Sequence, residues 1–274
     1  MEWEVKELDM VGVADSAAKV VPIIGSIKGL LLGAAASPLL LVSIYFFKAS
    51  PRFFSKEHTI SLLLYVCSVL LASIGVIWYG LSSVVAAFQI LPLLNQIFVS
   101  SFAFKIESFV SVCLSGISIY FAIIGHRGTT LVVPLSWVAV VGFLAVLGLT
   151  LWRMTASDRG LARRIEEMKI SDLWCTIFFS LEAAIGFAAI CSFSSFLHLG
   201  VVLFGGLTSM CFLVPMEKAL YFYPATAVIP IFTICFRIVA ELIAMQSYTG
   251  GSNFFIAISL VTGILSALFP LILF

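Results

Sequence analysis

Long apolar runs separated by short polar or charged connections dominate the chain. Nine of these runs are about 20 residues long, the length that an α-helix needs to cross the hydrocarbon core of a bilayer. They occupy positions 27–47, 59–81, 83–103, 106–125, 131–152, 171–192, 196–218, 222–246 and 253–273. Because the runs are continuous and do not alternate apolar with polar residues, they predict membrane helices and not the strands of a β-barrel.

Composition supports this interpretation. The chain has 274 residues, of which 62% are hydrophobic and only 11% are charged. Soluble proteins have roughly a quarter of their residues charged, because they must cover their surface with polar groups. The composition therefore predicts an all-α polytopic membrane protein with the lipid bilayer as its first partner, and it excludes a soluble enzyme. The net charge of +1 gives no reason to expect nucleic acid as a partner.

The basic residues are unevenly distributed between the two sides of such a bundle. If nine helices alternate in direction, most Lys and Arg residues lie on the side of the loops after the first, third, fifth and seventh helices. These residues are Lys48, Arg52, Lys56, Lys105, Arg153, Arg159, Arg163, Arg164, Lys169 and Lys218. The positive-inside rule then predicts a cytoplasmic C-terminus and an extracytoplasmic or luminal N-terminus, in a membrane that the sequence does not identify.

Five regions follow from this arrangement of helices. Residues 1–26 are predicted not to span the membrane, and residues 27–125 form a first transmembrane half. Residues 126–154 contain the fifth helix and its flanks, and residues 155–171 form a cytoplasmic linker with basic and acidic residues. Residues 172–274 form a second transmembrane half.

Two helices with an early proline relate the halves to each other. The stretch 87–95, with Pro92, aligns weakly with the stretch 225–233, with Pro230. Duplicated halves are common in transporters, in which two similar bundles rock about a central site. Each proline removes one backbone hydrogen bond, so Pro92 and Pro230 are either hinges or purely structural kinks.

The second half also contains a motif that points to a family. The run Glu217-Lys218-Ala219-Leu220 precedes the stretch 223–231, and the last helix carries Gly263. This arrangement resembles the NIPA-like magnesium transporters of the drug/metabolite transporter superfamily, in which an N-K-A-L run leads into a helix with a V-x-P-I-Y-Y type core. The first half has the parallel A-x-x-x-x-P-L pattern of that family, here from Ala87 to Leu93.

The chain departs from the family pattern at three places. Glu217 stands where the family has Asn, Phe232-Thr233 replaces the paired tyrosines, and positions 72–79 contain no acidic or amide residue of the family's second-helix motif. The resemblance implies a transporter with about nine helices in two pseudo-repeated halves. It also implies Mg²⁺ or another divalent cation as the substrate.

Three ionisable side chains are predicted to lie inside membrane helices: Glu182, Arg237 and Glu241. A charge at the centre of a membrane helix is unfavourable by about 2.5–3.5 kcal/mol on insertion scales, so such groups face a cavity or a partner. Arg237 and Glu241 are four residues apart, which places them within ion-pair distance on one helical face. Either they neutralise each other, or Arg237 binds an anionic group, or Glu241 takes a proton or cation. Glu182 is either a proton- or cation-binding group or a member of an interhelical hydrogen bond.

Further polar side chains complete the candidate substrate-binding set. Gln89 and Asn95 on the third predicted helix, and Thr233 on the eighth, line one pathway if these two helices face each other. His126 borders the fourth predicted helix, where a capping or headgroup role is sufficient. No nucleotide-binding, metalloprotease or nucleophile motif is found, so no cofactor and no enzymatic activity is expected. Whether a metal binds stays open.

Three functions are compatible with these features. The first is a transporter that moves a small solute or ion, such as Mg²⁺, by alternating access. The second is a transporter of an anionic metabolite, which the buried arginine favours. The third is a non-transporting membrane scaffold or complex subunit, which the scarcity of polar residues in the helices favours. A second copy of the chain or a larger membrane assembly is a further candidate partner.

Overall fold

A computed structural model describes most of the chain. The described residues are 23–49, 55–79, 81–100, 106–126, 130–131, 136–155, 172–193 and 205–272. Residues 1–22 of the predicted N-terminal segment and residues 156–171 of the predicted linker lie outside the described residues, as do residues 196–204 of the seventh predicted helix.

The described part of the chain is almost entirely helical. Its helices are α1 Ile23–Ala49, α2 Lys56–Tyr79, α3 Leu81–Ala87, α4 Leu91–Ser100, α5 Ile106–Gly125, α6 Trp137–Thr155, α7 Asp172–Phe193, α8 Gly205–Phe222, α9 Ala225–Ser247 and α10 Asn253–Ile272. A 3-10 turn, Phe88–Ile90, joins α3 to α4. Two short strands, β1 Thr130–Leu131 and β2 Tyr248–Thr249, pair antiparallel.

Helices lie in each of the nine predicted apolar runs as far as the described residues extend, and α3, the 3-10 turn and α4 lie in the third. Most helix boundaries differ from the prediction by a few residues. α1, for example, begins at Ile23 and not at position 27. α6 begins at Trp137 and not at position 131, because Thr130 and Leu131 form the strand that pairs with β2.

Several of the described helices have the length and composition of membrane spans. α1, α2, α7 and α9 are long and apolar enough to cross a bilayer, and shorter apolar helices cover 84–97, 109–125, 137–153 and 253–269. Large apolar side chains such as Leu31, Phe109, Trp137, Trp174 and Phe254 are exposed on the outside of the bundle. The chain is therefore a helical membrane protein, since such a surface suits lipid and not water.

Reciprocal hydrogen bonds between serines join two pairs of helices. The Ser43 hydroxyl of α1 donates to the Ser61 carbonyl of α2 at 2.8 Å, and Ser61 returns the same bond to the Ser43 carbonyl at 2.8 Å. Ser111 of α5 and Ser266 of α10 exchange equivalent bonds at 2.8 and 3.0 Å. Serine side chains are small enough to let two helices approach closely, and their hydroxyl groups form hydrogen bonds between the helices. Lipid chains cannot provide such hydrogen bonds.

Two glycines mark the places where helix backbones nearly touch. A Cβ atom on Gly33 of α1 would lie 2.7 Å from the Val84 carbonyl oxygen of α3. A Cβ atom on Gly186 of α7 would lie 2.7 Å from the Cys211 carbonyl oxygen of α8. Only glycine permits these two contacts, because the neighbouring atom in each is a backbone oxygen that cannot rotate away.

Aromatic rings fill the centre of the bundle. The ring of Phe187 on α7 lies 5.4 Å from Phe88 of the 3-10 turn, 5.4 Å from Phe212 of α8 and 5.3 Å from Phe236 of α9, measured between centroids. All four side chains are fully buried. Edge-to-face and tilted ring contacts of this kind each add about 0.5–1.5 kcal/mol beyond area burial, so this core ties the first half to the second.

The two predicted hinge prolines differ in their local geometry. Pro92 lacks the N–H that would bond to the carbonyl of Phe88, and the N–H of Leu91 donates to that carbonyl instead, which tightens the turn into a 3-10 helix. α9 by contrast runs unbroken through Pro230.

The connections after α5 and after α9 meet at one end of the bundle. β1 pairs with β2, and the N–H of Ser252 donates to the Gly125 carbonyl at 2.9 Å. The Ser136 hydroxyl, just before α6, donates to the Gln246 side chain of α9 at 2.7 Å. These bonds hold the C-terminal ends of α5 and α9 and the start of α10 close together, so that residues of these three helices meet inside the bundle.

The glycine contacts predict a specific pattern of stability changes. We expect Gly33→Ala and Gly186→Ala each to destabilise the protein by about 1–3 kcal/mol, because a methyl group would overlap a backbone oxygen. Gly116→Ala and Gly148→Ala are matched controls, since a Cβ atom at either position meets nothing within 4 Å. Thermal unfolding of the purified protein in detergent, followed by circular dichroism, measures the difference. Equal melting temperatures for all four variants would contradict these helix contacts.

Candidate functional site

A group of charged and polar side chains lies inside the apolar bundle where α5, α9 and α10 meet. Its members are Ser118, His126, Arg237, Glu241 and Ser259, and we refer to them as the central polar cluster. All five are buried. Charged groups in such a position are unfavourable without partners, so their contacts define what the site can bind.

Arg237 and Glu241 form an ion pair along α9. The Arg237 Nη2 atom lies 2.7 Å from the Glu241 Oε1 atom, and the residues are 2% and 4% exposed. The spacing of four residues predicts this contact. The arginine therefore carries its own counter-ion into the bundle, which removes most of the cost of burying it.

His126 approaches the other oxygen of the same carboxylate. Its Nε2 atom lies 3.2 Å from the Glu241 Oε2 atom. The sequence alone suggests a helix-capping or headgroup role for His126, whereas the structure places its side chain against Glu241. Both oxygens of Glu241 thus face a nitrogen of a basic side chain.

Serines of α5 and α10 support the arginine from its other side. The Arg237 Nη2 atom donates to the Ser259 hydroxyl at 2.7 Å, and that hydroxyl donates to the Ser118 carbonyl at 2.8 Å. The Ser118 hydroxyl donates in return to the Ser259 carbonyl at 2.5 Å. This is the same reciprocal pairing that joins other helices of the bundle, and here it fixes the serine that receives the arginine.

Gln89 of the 3-10 turn borders the cluster at Gly263. A methyl group on Gly263 would overlap the Gln89 amide nitrogen and would lie 2.9 Å from the Ser118 Oγ atom. The Gln89 amide and the Ser118 hydroxyl therefore both lie next to Gly263, which is one helical turn from Ser259 on α10. The absence of a side chain at position 263 leaves room for the amide.

Several polar atoms at the site have no hydrogen-bond partner among the described residues. They include Nε and Nη1 of Arg237, both amide atoms of Gln89, whose side chain is 3% exposed, and both carboxylate oxygens of Glu241, whose contacts with Arg237 and His126 are ion pairs. A buried polar group without a partner costs about 1–3 kcal/mol, and more when it is charged. Unsatisfied groups of this kind are rare in folded proteins, and each calls for an explanation such as a water, an ion or a ligand.

The cluster lies deep in the bundle. Glu241 precedes the end of α9 at Ser247 by six residues, which corresponds to about 9 Å of helix rise. Arg237 precedes that end by ten residues, or about 15 Å. That distance is about half the thickness of the hydrocarbon core of a bilayer.

Glu182, the third predicted ionisable residue, lies in a separate ion pair. Its Oε2 atom is 2.5 Å from the Nη1 atom of Arg153, and both residues are buried. The Arg153 guanidinium also lies over the ring of Phe179, 4.7 Å from the centroid. The placement of Arg153 in a loop is therefore wrong, because α6 extends to Thr155 and carries Arg153 into the bundle. The Phe179 ring covers one face of this guanidinium, and Nε of Arg153 has no hydrogen-bond partner among the described residues.

The other two predicted polar residues, Asn95 and Thr233, form hydrogen bonds within and between helices. The Tyr45 hydroxyl donates to the Asn95 side-chain oxygen at 2.6 Å, and the Asn95 amide donates to the Ala225 carbonyl at 3.3 Å. The Thr233 hydroxyl donates to the Ile229 carbonyl of its own helix at 2.8 Å. Asn95 thus joins the middle of α4 to the start of α9, and both residues spend their polar groups on these contacts.

The described residues contain no group of three or more His, Cys, Asp or Glu side chains that could hold a metal ion. Both buried carboxylates described above bond to an arginine. Comparison of the chain with protein-family models, curated proteins and solved structures finds no match. The function proposed below rests on the contacts of the cluster.

The second ion pair predicts a double-mutant cycle. We expect Arg153→Leu and Glu182→Leu each to destabilise the protein by about 3–5 kcal/mol, because each leaves a buried charge without its partner. The double variant should be more stable than either single variant, since it leaves no charge unpaired. Thermal unfolding in detergent measures all three. A double variant that loses the sum of the two single losses would contradict the pairing.

Proposed function

We propose that the protein is a membrane transporter that moves a small solute or ion by alternating access, past the central polar cluster between two halves. The observation that carries this proposal is Arg237, a buried charge near the middle of α9 with N–H groups that the described residues leave unbonded. The structural pair Arg153–Glu182 leaves one guanidinium nitrogen, Nε of Arg153, unbonded among the described residues, whereas Arg237 leaves two.

The packing of the helices supports two related halves. In the first half α1 packs against α2 and α3, and in the second half α7 packs against α8 and α9. The alignment of Pro92 with Pro230 makes the segment from α3 to α4 the counterpart of α9, so α1 and α2 correspond to α7 and α8. The last helices of the two halves, α5 and α10, pack against each other. This correspondence suits a pair of bundles that rock against each other.

Contacts between the connections support alternating helix directions. The connection after α5 and the connection after α9 lie at one end, where β1 pairs with β2. At the other end of α9, the Ala225 carbonyl accepts a hydrogen bond from Asn95, which lies in the C-terminal part of the third predicted span. Nine alternating spans satisfy both contacts, and we propose this topology with the N-terminus extracytoplasmic or luminal and the C-terminus cytoplasmic.

The 3-10 turn beside Pro92 is the hinge that this mechanism requires. Phe88 of this turn lies 5.4 Å from Phe236 of α9, between ring centroids, and Phe236 precedes Arg237. A change of backbone conformation at the turn would therefore reach the helix that carries the ion pair. Pro230 serves the equivalent helix of the second half.

The family resemblance keeps Mg²⁺ among the substrates to be tested. Mg²⁺ prefers carboxylate, carbonyl and water oxygens as ligands. A magnesium pathway through this site would require Glu241 to leave Arg237 and His126 during transport. The same change of partners would serve a proton-coupled or cation-coupled cycle.

Water access to the cluster separates a transporter from a non-transporting subunit. In a background without native cysteines, we expect the thiol introduced by Ser259→Cys to react with a hydrophilic, membrane-impermeant thiol reagent. A transporter must open its central site to water on at least one side. Ser68→Cys is the matched control, because Ser68 is equally buried and bonds to the Ala36 carbonyl between α1 and α2.

The outcome of this labelling is decisive. Reaction at position 259 with an inert thiol at position 68 supports transport. Inert thiols at both positions, in liposomes and with the protein folded, would identify a dry bundle and favour the scaffold or subunit.

A further inference from the structure

We infer that the central polar cluster binds a small soluble oxyanion, a carboxylate or a phosphate, through the unbonded N–H groups of Arg237 together with the amide of Gln89. This inference rests on the proposed transport function for the route of the anion, and it names the substrate class of that same site.

The N–H groups of Arg237 that the described residues leave unbonded are hydrogen-bond donors, and a donor on a positive group favours an anionic ligand. The Nη2 atom of Arg237 already bonds to Glu241 and to Ser259. The N–H groups on Nε and Nη1 have no hydrogen-bond partner in the described part of the chain. A guanidinium is planar, and Nε and Nη1 donate on different sides of it, so each can give one charge-assisted hydrogen bond to an oxyanion.

The charges around the cluster favour an anion over a cation. A cation needs oxygen ligands, but the Glu241 oxygens each face a basic nitrogen, at 2.7 Å for Arg237 and 3.2 Å for His126. Within the cluster two basic side chains flank a single carboxylate. An added anion therefore meets N–H groups that the described residues leave unbonded, whereas a cation must compete with Arg237 and His126 for the Glu241 oxygens.

Gln89 supplies a second contact for the same ligand. Its amide lies against Gly263 and beside Ser118, whose partner Ser259 receives the bond from Arg237. Both amide atoms have no partner among the described residues. The amide N–H groups can donate to an anion, and the amide oxygen can accept from a protonated carboxylate or phosphate hydroxyl.

The depth of the site indicates a free solute and not a lipid headgroup. Arg237 lies about 15 Å of helix rise from the end of α9, whereas headgroup phosphates lie at the surface of the hydrocarbon core. The ligand must therefore enter the bundle as a small molecule. The feature that the site recognises is an oxyanion, which accepts hydrogen bonds from the guanidinium.

The test measures binding and transport separately. Full-length protein in phosphatidylcholine nanodiscs is titrated with radiolabelled inorganic phosphate and succinate, with Mg²⁺ as the competing hypothesis. The same protein in liposomes is assayed for uptake of each probe. We expect saturable binding of phosphate or succinate, and uptake of the probe that binds.

Conservative substitutions identify the groups that bind. Arg237→Lys keeps a positive charge beside Glu241 but removes the Nε and Nη1 donors, so we expect about a tenfold or larger loss of anion affinity. Gln89→Leu should weaken binding less. Arg153→Lys is the matched control, because it makes the same change at the other buried arginine and should leave anion binding unchanged. Circular dichroism of each variant verifies that it is folded.

The results distinguish failure of this inference from failure of the proposed function. No saturable anion binding, or anion binding that Arg237→Lys leaves intact, overturns the oxyanion site. Saturable Mg²⁺ binding that Glu241→Gln abolishes, without anion binding, also overturns it and leaves transport standing. Anion binding that depends on Arg237 but is accompanied by no uptake of the bound probe supports the site and overturns the transport function.

Discussion

Inside a bilayer no water is available to satisfy a polar group, so each buried hydroxyl, amide and charge must find its partner within the protein. The bundle follows this constraint at most of its helix contacts. Ser43 with Ser61 and Ser111 with Ser266 satisfy each other's hydroxyl and carbonyl groups. Asn95 uses its oxygen and its nitrogen to connect helices. The polar residues of this protein are thus part of its packing as much as its glycines and aromatic rings are.

Single hydroxyls such as those of Tyr65, Ser73, Thr150 and Ser180 have no partner among the described residues, but the central polar cluster leaves several polar atoms unbonded together. Arg237 has two contacts through Nη2, while its Nε and Nη1 atoms and the whole Gln89 amide have no hydrogen-bond partner in the described part of the chain. The comparison with Arg153 is informative, because the ring of Phe179 covers that guanidinium and Glu182 neutralises it. Two buried arginines of one chain therefore have different surroundings, one closed by an aromatic ring and one bordered by free polar groups.

The position of Gln89 connects this site to the backbone. Pro92 imposes the 3-10 turn, and Gln89 is the middle residue of that turn, so the hinge and a candidate ligand group belong to the same three residues. Gly263 leaves the space that the amide occupies. A conformational change at the turn would move the amide relative to Arg237, which is how a rocking motion of two halves could alter affinity for a bound solute.

The sequence alone determined where the helices lie, because each apolar run of about 20 residues is a local signal that needs no partner. It also determined the contact of Arg237 with Glu241, since a spacing of four residues places two side chains on one helical face. Only the tertiary structure decided that Glu182 meets Arg153, that His126 reaches Glu241 and that Gln89 lies at Gly263. These residues belong to different helices or connections, and no periodicity within one segment encodes which helix will lie beside another.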